Sequence, residues 1–242
     1  MMNLLIAQIF FRNAVFRLRS VWLLMFAALD LVIVLSAVGR SNVEDAFNEI
    51  TRNVLLGFIL PITAMLLGTA IVREEVERGT LGYWLARPIS RTRFLVVRFL
   101  CAAATVAVAS SAIFAINLFL LPASAVSGAR GFVGVILGSL AYTAFFSALG
   151  VWLKRPFIVG AILVLLIDFP VSQLPMSARY LTIRAHVENV TNLMMELPEM
   201  MQRLFDPVDP AVSVATLVGL GIVGAWLTSV AFRRLEFVGA DG

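Results

Sequence analysis

The sequence predicts an all-α integral membrane protein. It should have six transmembrane helices, an N-terminal amphipathic connecting helix, a helical cytoplasmic loop between spans two and three, and short outer helices between spans five and six. Three observations predict it. Of 242 residues, 60% are hydrophobic and only 14% charged, with a mean hydropathy of +0.94. An ordinary soluble domain is about 45–50% apolar and about 25% charged, so lipid must be the solvent for much of this chain. That balance excludes a soluble globular enzyme, a disordered chain and a coiled coil. The second observation is that apolar residues come in unbroken runs such as Val21–Val38 and Val106–Leu121. A spanning helix needs roughly 20 apolar residues, whereas a β-barrel would show alternating segments of about 10. The third is the distribution of arginine along the chain, which follows a membrane topology.

The elements follow in order. Residues 1–20 mix Leu4, Leu5, Ile9 and Phe16 with Gln8, Arg12 and Arg19 on one helical face. An interfacial helix is the expected form, and a leader peptide, suggested by Arg12, Arg17 and Arg19 ahead of an apolar run, is the competing reading. The spans are Val21–Val38, Val54–Val72, Arg98–Leu121, Phe132–Leu153, Phe157–Leu174 and Ala211–Phe232. Six spans put both termini on one side. That side carries Arg12, Arg17, Arg19, Arg73, Arg78, Arg87, Arg91, Arg93, Arg98, Lys154, Arg155, Arg233 and Arg234 against five carboxylates. The other carries Arg40, Arg52, Arg130, Arg179, Arg184 and Arg203 against eight. Basic residues accumulate on the cytoplasmic side, so both termini are expected there, in a plasma or inner membrane. The sequence pI near 10.0 is thereby explained by topology, without a nucleic-acid partner.

Two connections are longer than topology requires. Residues 73–93 form a densely charged cytoplasmic loop. Residues 175–210 form an outer insertion whose Leu193, Met194, Leu197, Met200, Met201, Leu204 and Phe205 recur at helical spacing, interrupted by Pro198. Two short helices, lying against the outer leaflet or capping the spans, are expected there. The link at Lys154-Arg155-Pro156 is very short.

No catalytic or nucleotide-binding machinery is legible. The chain has no Gly-Lys pair, hence no phosphate-binding G-x-x-x-x-G-K-[ST] loop. A single histidine, His186, precludes a two-His metal site, and a single cysteine, Cys101, precludes a disulfide framework. No catalytic residue, metal or cofactor is therefore assigned to the chain, and it is not expected to be an enzyme by itself. Within the membrane, Asp30 and Asp168 are the ionisable candidates for a pathway or for helix pairing. An ionised carboxylate at a span centre costs ~2.5–3.5 kcal/mol on insertion scales. For Asp168, beside Pro170, a carboxylate reaching headgroup water is an equal reading. Asn117 is expected to bond between helices. Gly134, Gly138 and Gly150 in span four, and Gly219, Gly221 and Gly224 in span six, should permit close helix approach. Trp22 and Trp152 are expected in a cytoplasmic aromatic belt.

The cytoplasmic loop reads Val72-Arg-Glu-Glu-Val-Glu-Arg-Gly-Thr-Leu-Gly-Tyr-Trp-Leu-Ala-Arg-Pro-Ile-Ser-Arg91. Glu74, Glu75 and Glu77 precede a Gly79-Thr80 break, and Thr80 can cap the next turn. Leu81, Trp84 and Leu85 then make one apolar face, which Pro88 ends. Ser90 is a candidate cap for span three. Trp84 should bury itself in the lipid interface or in a groove on a partner.

The run Glu75-Val-Glu-Arg-Gly-Thr-Leu81, followed by Leu85-Ala-Arg-Pro-Ile-Ser-Arg91, resembles the signature of ABC-2-type transporter permeases. That pattern, an acidic pair, Gly-Thr-Leu, then Leu-x-x-Pro-[ILV]-Ser-Arg, lies between their second and third spans. The resemblance covers about twenty residues of motif, and six spans with cytoplasmic ends agree with it over the rest. It implies a coupling helix that docks on a separate ATP-binding subunit, with ATP and Mg held by that partner. Glu74, Glu75, Glu77, Gly79, Thr80 and Leu81 would begin the contact, and Trp84, Pro88, Ser90 and Arg91 would continue it. Lys154 and Arg155 would make a secondary cytoplasmic contact, or else serve only as a positive-inside anchor. Two ATPase copies and a second permease copy or paralogue are implied as partners, along with membrane lipids and an optional extracytoplasmic subunit. The expected function is the membrane half of an ATP-driven exporter working by alternating access. Two other readings stay open at this point: a six-span scaffold or sensor without transport, and an ion-coupled carrier using Asp30 and Asp168.

Overall fold

The computed structural model describes residues 18–39, 42–71, 90–123, 125–174, 177–193 and 208–234. Each apolar run becomes a helix. They are α1 (Leu18–Ala37), α2 (Val43–Gly68), α3 (Arg91–Leu120), α4 (Ala125–Trp152), α5 (Pro156–Ser172) and, after the outer insertion, α7 (Pro210–Arg234). The insertion itself holds a 3-10 turn, Ser177–Leu181, and α6 (Ile183–Thr191). Among the described residues, α2, α3, α4 and α7 are long and apolar enough to cross a membrane, so the protein is membrane-embedded. The remaining two apolar helices, Val21–Ala37 and Pro156–Ser172, are shorter.

Two of these helices depart from regular α geometry, each for the same reason. In α2 a π-helical segment, Thr51–Ile59, ends just ahead of Pro61; in α5 another, Leu163–Asp168, ends just ahead of Pro170. Proline lacks the amide hydrogen and its ring crowds the carbonyl four residues back, so the turn before it widens. The span expected at Phe157–Leu174 is therefore three consecutive helical segments. Helix α2 also begins eleven residues before the expected Val54. Its first turn carries Glu44 and Asp45, which suit the positive end of the helix dipole, and Ala46, Phe47 and Ile50 are buried. Helix α3 starts seven residues before the expected Arg98, because Ser90 does cap it: the Ser90 hydroxyl accepts the Arg93 backbone N–H at 3.3 Å.

The bundle is organised on α4, which touches α2, α3, α6 and α7. Its small residues explain why. A side chain at Gly150 would lie 2.7 Å from the Thr69 carbonyl oxygen of α2's end, and one at Gly224 of α7 would lie 2.8 Å from Ala144 of α4. These are backbone-to-backbone approaches that only glycine permits. Gly134 and Gly138 also allow close approach, but to the outer helix α6, through Thr191 and Val187. Gly219 differs from expectation: among the described residues, nothing lies within 4 Å of its missing side chain. Ser147 and Thr228 add a buried hydroxyl pair between α4 and α7 at 2.8 Å. Trp22 and Trp152 are both exposed on the outside of the bundle.

Candidate functional site

Glu74, Glu75, Glu77, Gly79, Thr80, Leu81, Trp84 and Pro88 lie outside the described residues, as do residues 1–17 and 194–207. What is described of the connection between α2 and α3 is its two attachments. On the α2 side, a side chain at Gly68 would meet Phe146 Cβ at 2.9 Å and the Thr143 carbonyl at 3.0 Å, and Thr69 is pressed against Gly150. On the α3 side, exposed Ser90 caps Arg91 onward, and one turn later Phe94 stacks on Phe232 of α7 with ring centroids 6.4 Å apart. The Arg98 guanidinium covers the Phe94 ring at 5.2 Å while its stem is buried. Both ends of residues 72–89 are thus tied to the same end of one bundle. Lys154 and Arg155 are exposed at that end, in the bend that Pro156 closes.

The intramembrane candidates are paired with neutral partners. Asp30 of α1 is 1% exposed, and the Asn117 amide of α3, oriented to donate, lies 2.7 Å from its Oδ2. Asn117 thus joins two helices. Asp168, half-buried, is held by polar groups of two other elements. Its Oδ2 accepts the Tyr142 hydroxyl of α4, and its Oδ1 faces the Arg184 backbone N–H at 3.5 Å. Asp30 and Asp168 belong to separate clusters.

Asp168 borders a polar core that the sequence reading missed. Helix α6 is only nine residues long, is capped by the Thr182 hydroxyl on the Ala185 N–H, and every side chain from Arg184 to Thr191 is buried. It is wedged among α2, α4 and α7 instead of lying on a leaflet. The Arg184 Nε donates to Glu188 Oε1 at 2.6 Å, and Arg179 from the 3-10 turn reaches Glu188 Oε2 at 3.4 Å. The Arg184 Nη2 donates to the Arg52 carbonyl at 3.2 Å and to Asn53 Oδ1 at 3.0 Å, both in the π segment of α2. Its guanidinium sits 4.5 Å from the Phe169 ring centroid. Gly57 makes the room, since a side chain there would lie 2.8 Å from Arg184 Nη1. The two proline-widened segments therefore frame one arginine. The overlooked signals were Arg184 and Glu188 at i and i+4 and the Thr182 cap.

On another face of α6, His186 Nε2 lies 2.9 Å from the Tyr180 carbonyl and its Nδ1 3.0 Å from Ser213 Oγ. A carbonyl only accepts, so Nε2 carries the proton and Ser213 donates to Nδ1. Ser213 in turn accepts from Asn189 at 2.7 Å. Burial holds the His186 pKa below its ordinary 6.5, against a smaller upward pull from the Tyr180 carbonyl. The unfolded chain therefore binds the proton more readily than the native site, so this site contributes stability above about pH 6.5 that is lost as pH falls. Amide-exchange protection of 183–191, corrected for intrinsic rates, should fall as the pH is lowered below about 6.5. A His186→Gln variant should not show that loss.

Residues 49–154 match the family model described as ABC-2 family transporter protein, a match that runs from the first turns of α2 to the end of α4 and includes the whole cytoplasmic loop. No curated protein matches the chain.

Proposed function

With residues 49–154 an ABC-2-type permease segment, we propose that this chain is the transmembrane subunit of an ATP-binding cassette exporter. A separate ATPase subunit docks on residues 73–93 and drives substrate movement by alternating access. The observation that carries this reading is the anchoring of the loop. The glycine contact of α2 with α4 and the Phe94–Phe232 stack of α3 with α7 give a pull on residues 73–93 a route into the bundle from both sides. Glu74, Glu75 and Glu77 supply register against basic residues of the ATPase, and Trp84 the buried anchor. Lys154 and Arg155, exposed on the same end, form a second contact. The short helices α1 and α5 complete six spans with cytoplasmic termini. At 1.5 Å per residue the 20 residues of α1 span about 30 Å, and Pro156–Ser172 about 25 Å, at the lower limit for crossing. Two permeases pair with two ATPases, which bind ATP and Mg. Outward transport follows the habit of the family that the motif resembles.

Co-purification from native membranes tests the assembly: a P-loop ATPase in equal amount is expected, and its consistent absence overturns the reading. Glu75→Lys with Glu77→Lys should weaken ATPase attachment by about tenfold or more while the spans still insert. Unchanged attachment and unchanged coupled hydrolysis in that variant would remove the docking role.

A further inference from the structure

A pocket of about 190 Å³ opens on the flank of the bundle between α4, α5 and the turn leading into α6. Tyr142, Phe146, Leu163, Ile167, Asp168 and Leu181 are among its walls. Ile167 and Leu181 are 48% and 88% exposed, so the pocket communicates with the surface that faces lipid. It is polar at one end and apolar at the other. Asp168 and Leu181 lie toward the outer end of the bundle, whereas Leu163 and Phe146 lie about one turn deeper on their helices.

The polar end is a carboxylate with unused acceptor capacity. Asp168 accepts the Tyr142 hydroxyl on Oδ2 and the backbone N–H groups of Ile183 and, at 3.5 Å on Oδ1, Arg184, three donors where an ionised carboxylate accepts about four hydrogen bonds. The guanidinium of Arg184 is committed to Glu188, Asn53 and the Arg52 carbonyl and acts on Asp168 only as a nearby charge, and Arg179 is likewise on Glu188. Among the described residues, no cationic side chain is within ion-pair distance of Asp168. A carboxylate in an apolar recess favours a cation as its missing partner.

We propose that this pocket binds an amphiphile carrying a protonated primary amine, the ammonium on Asp168 and one hydrocarbon chain between Phe146 and Leu163. The amine can come from a free alkylamine or from the headgroup of an aminophospholipid, and the site stands whether or not an ATPase docks on the loop.

The test uses the full chain in phosphatidylcholine nanodiscs with three diazirine-bearing twelve-carbon probes, an amine, an alcohol and a carboxylic acid, and maps crosslinks by mass spectrometry. The amine should label residues 163–168 and 181–183 about tenfold more than the alcohol, the gain of a charge-assisted over a neutral hydrogen bond, and the acid least. Asp168→Asn, which keeps an acceptor for Tyr142, should remove the amine preference. Ile167→Trp, a change at the exposed mouth, should reduce labelling by all three probes. Displacement of the amine probe by added phosphatidylethanolamine identifies the lipid as a source; persistence of the label identifies the free amine. Equal labelling by the three probes, an amine preference that survives Asp168→Asn, or labelling no greater than on the exposed face of α1 would overturn the proposal.

Discussion

Replacing Glu188 with alanine is expected to destabilise the protein by about 3–5 kcal/mol, the cost of leaving a buried ion pair without one partner. Glu188 is the shared counter-charge of Arg184 and Arg179, whose side chains are 0% and 5% exposed. Neither guanidinium can reach water without moving a helix, because Arg184 is enclosed by Gly57, Phe169 and Asn53. Total stabilities of about 5–15 kcal/mol make such a loss a large fraction of the whole. It should appear as a lowered thermal midpoint in detergent, with the outer end of the bundle opening first in amide exchange. Glu188→Gln, which keeps the acceptor and loses the charge, should fall between. The triple replacement Arg179→Met, Arg184→Met, Glu188→Leu should be less damaging than Glu188→Ala, because it removes the charges together. If Glu188→Ala melts within about 0.5 kcal/mol of the parent, as an ordinary surface substitution does, the cluster carries no such load.

The cluster also marks where the sequence was readable and where it was not. Long apolar runs gave away α3, α4 and α7, because lipid demands apolarity on every face and leaves an unbroken signal. The Ser90 cap and the close approaches at Gly150 and Gly224 were legible for a similar reason, as each depends on the chemistry of one residue type. Helix α6 was not legible. Its Arg-Ala-His-Val-Glu-Asn-Val-Thr reads as a solvated loop, and only the fold reveals that the neighbours supply a partner for nearly every polar atom. The same holds for the start of α2, where Glu44, Asp45 and Glu49 looked like loop charges but sit on a helix whose Phe47 and Ile50 face inward. Pro61 and Pro170 could be read as irregularities; that both would open toward one arginine could not. Asp30 and Asn117 were each singled out alone, and their pairing needed the register of α1 against α3. The resemblance to ABC-2-type permeases was legible in residues 75–91, and the family match over residues 49–154 contains that motif.

Gly150→Val should separate the attachment of the cytoplasmic loop from its occupancy. Even the first carbon of the new side chain would lie 2.7 Å from the Thr69 carbonyl oxygen and 2.9 Å from the Thr69 Cα, both backbone atoms that no rotamer change can move aside. The end of α2 must back away from α4, at a cost of about 1–3 kcal/mol. Glu75, Glu77 and Trp84 are untouched by the change, so an ATPase subunit that docks on the loop should still co-purify in equal amount. Displacement of the loop would then reach the bundle through α3 and its Phe94–Phe232 stack alone, and transport should fall more than ATP hydrolysis does. Thr69→Gly does not remove the backbone atoms at fault and should not rescue the variant, whereas a clash confined to the threonine side chain would be rescued. Loss of ATPase binding in Gly150→Val would place the defect in docking, and transport retained in proportion to hydrolysis would show that force does not pass through the α2–α4 contact.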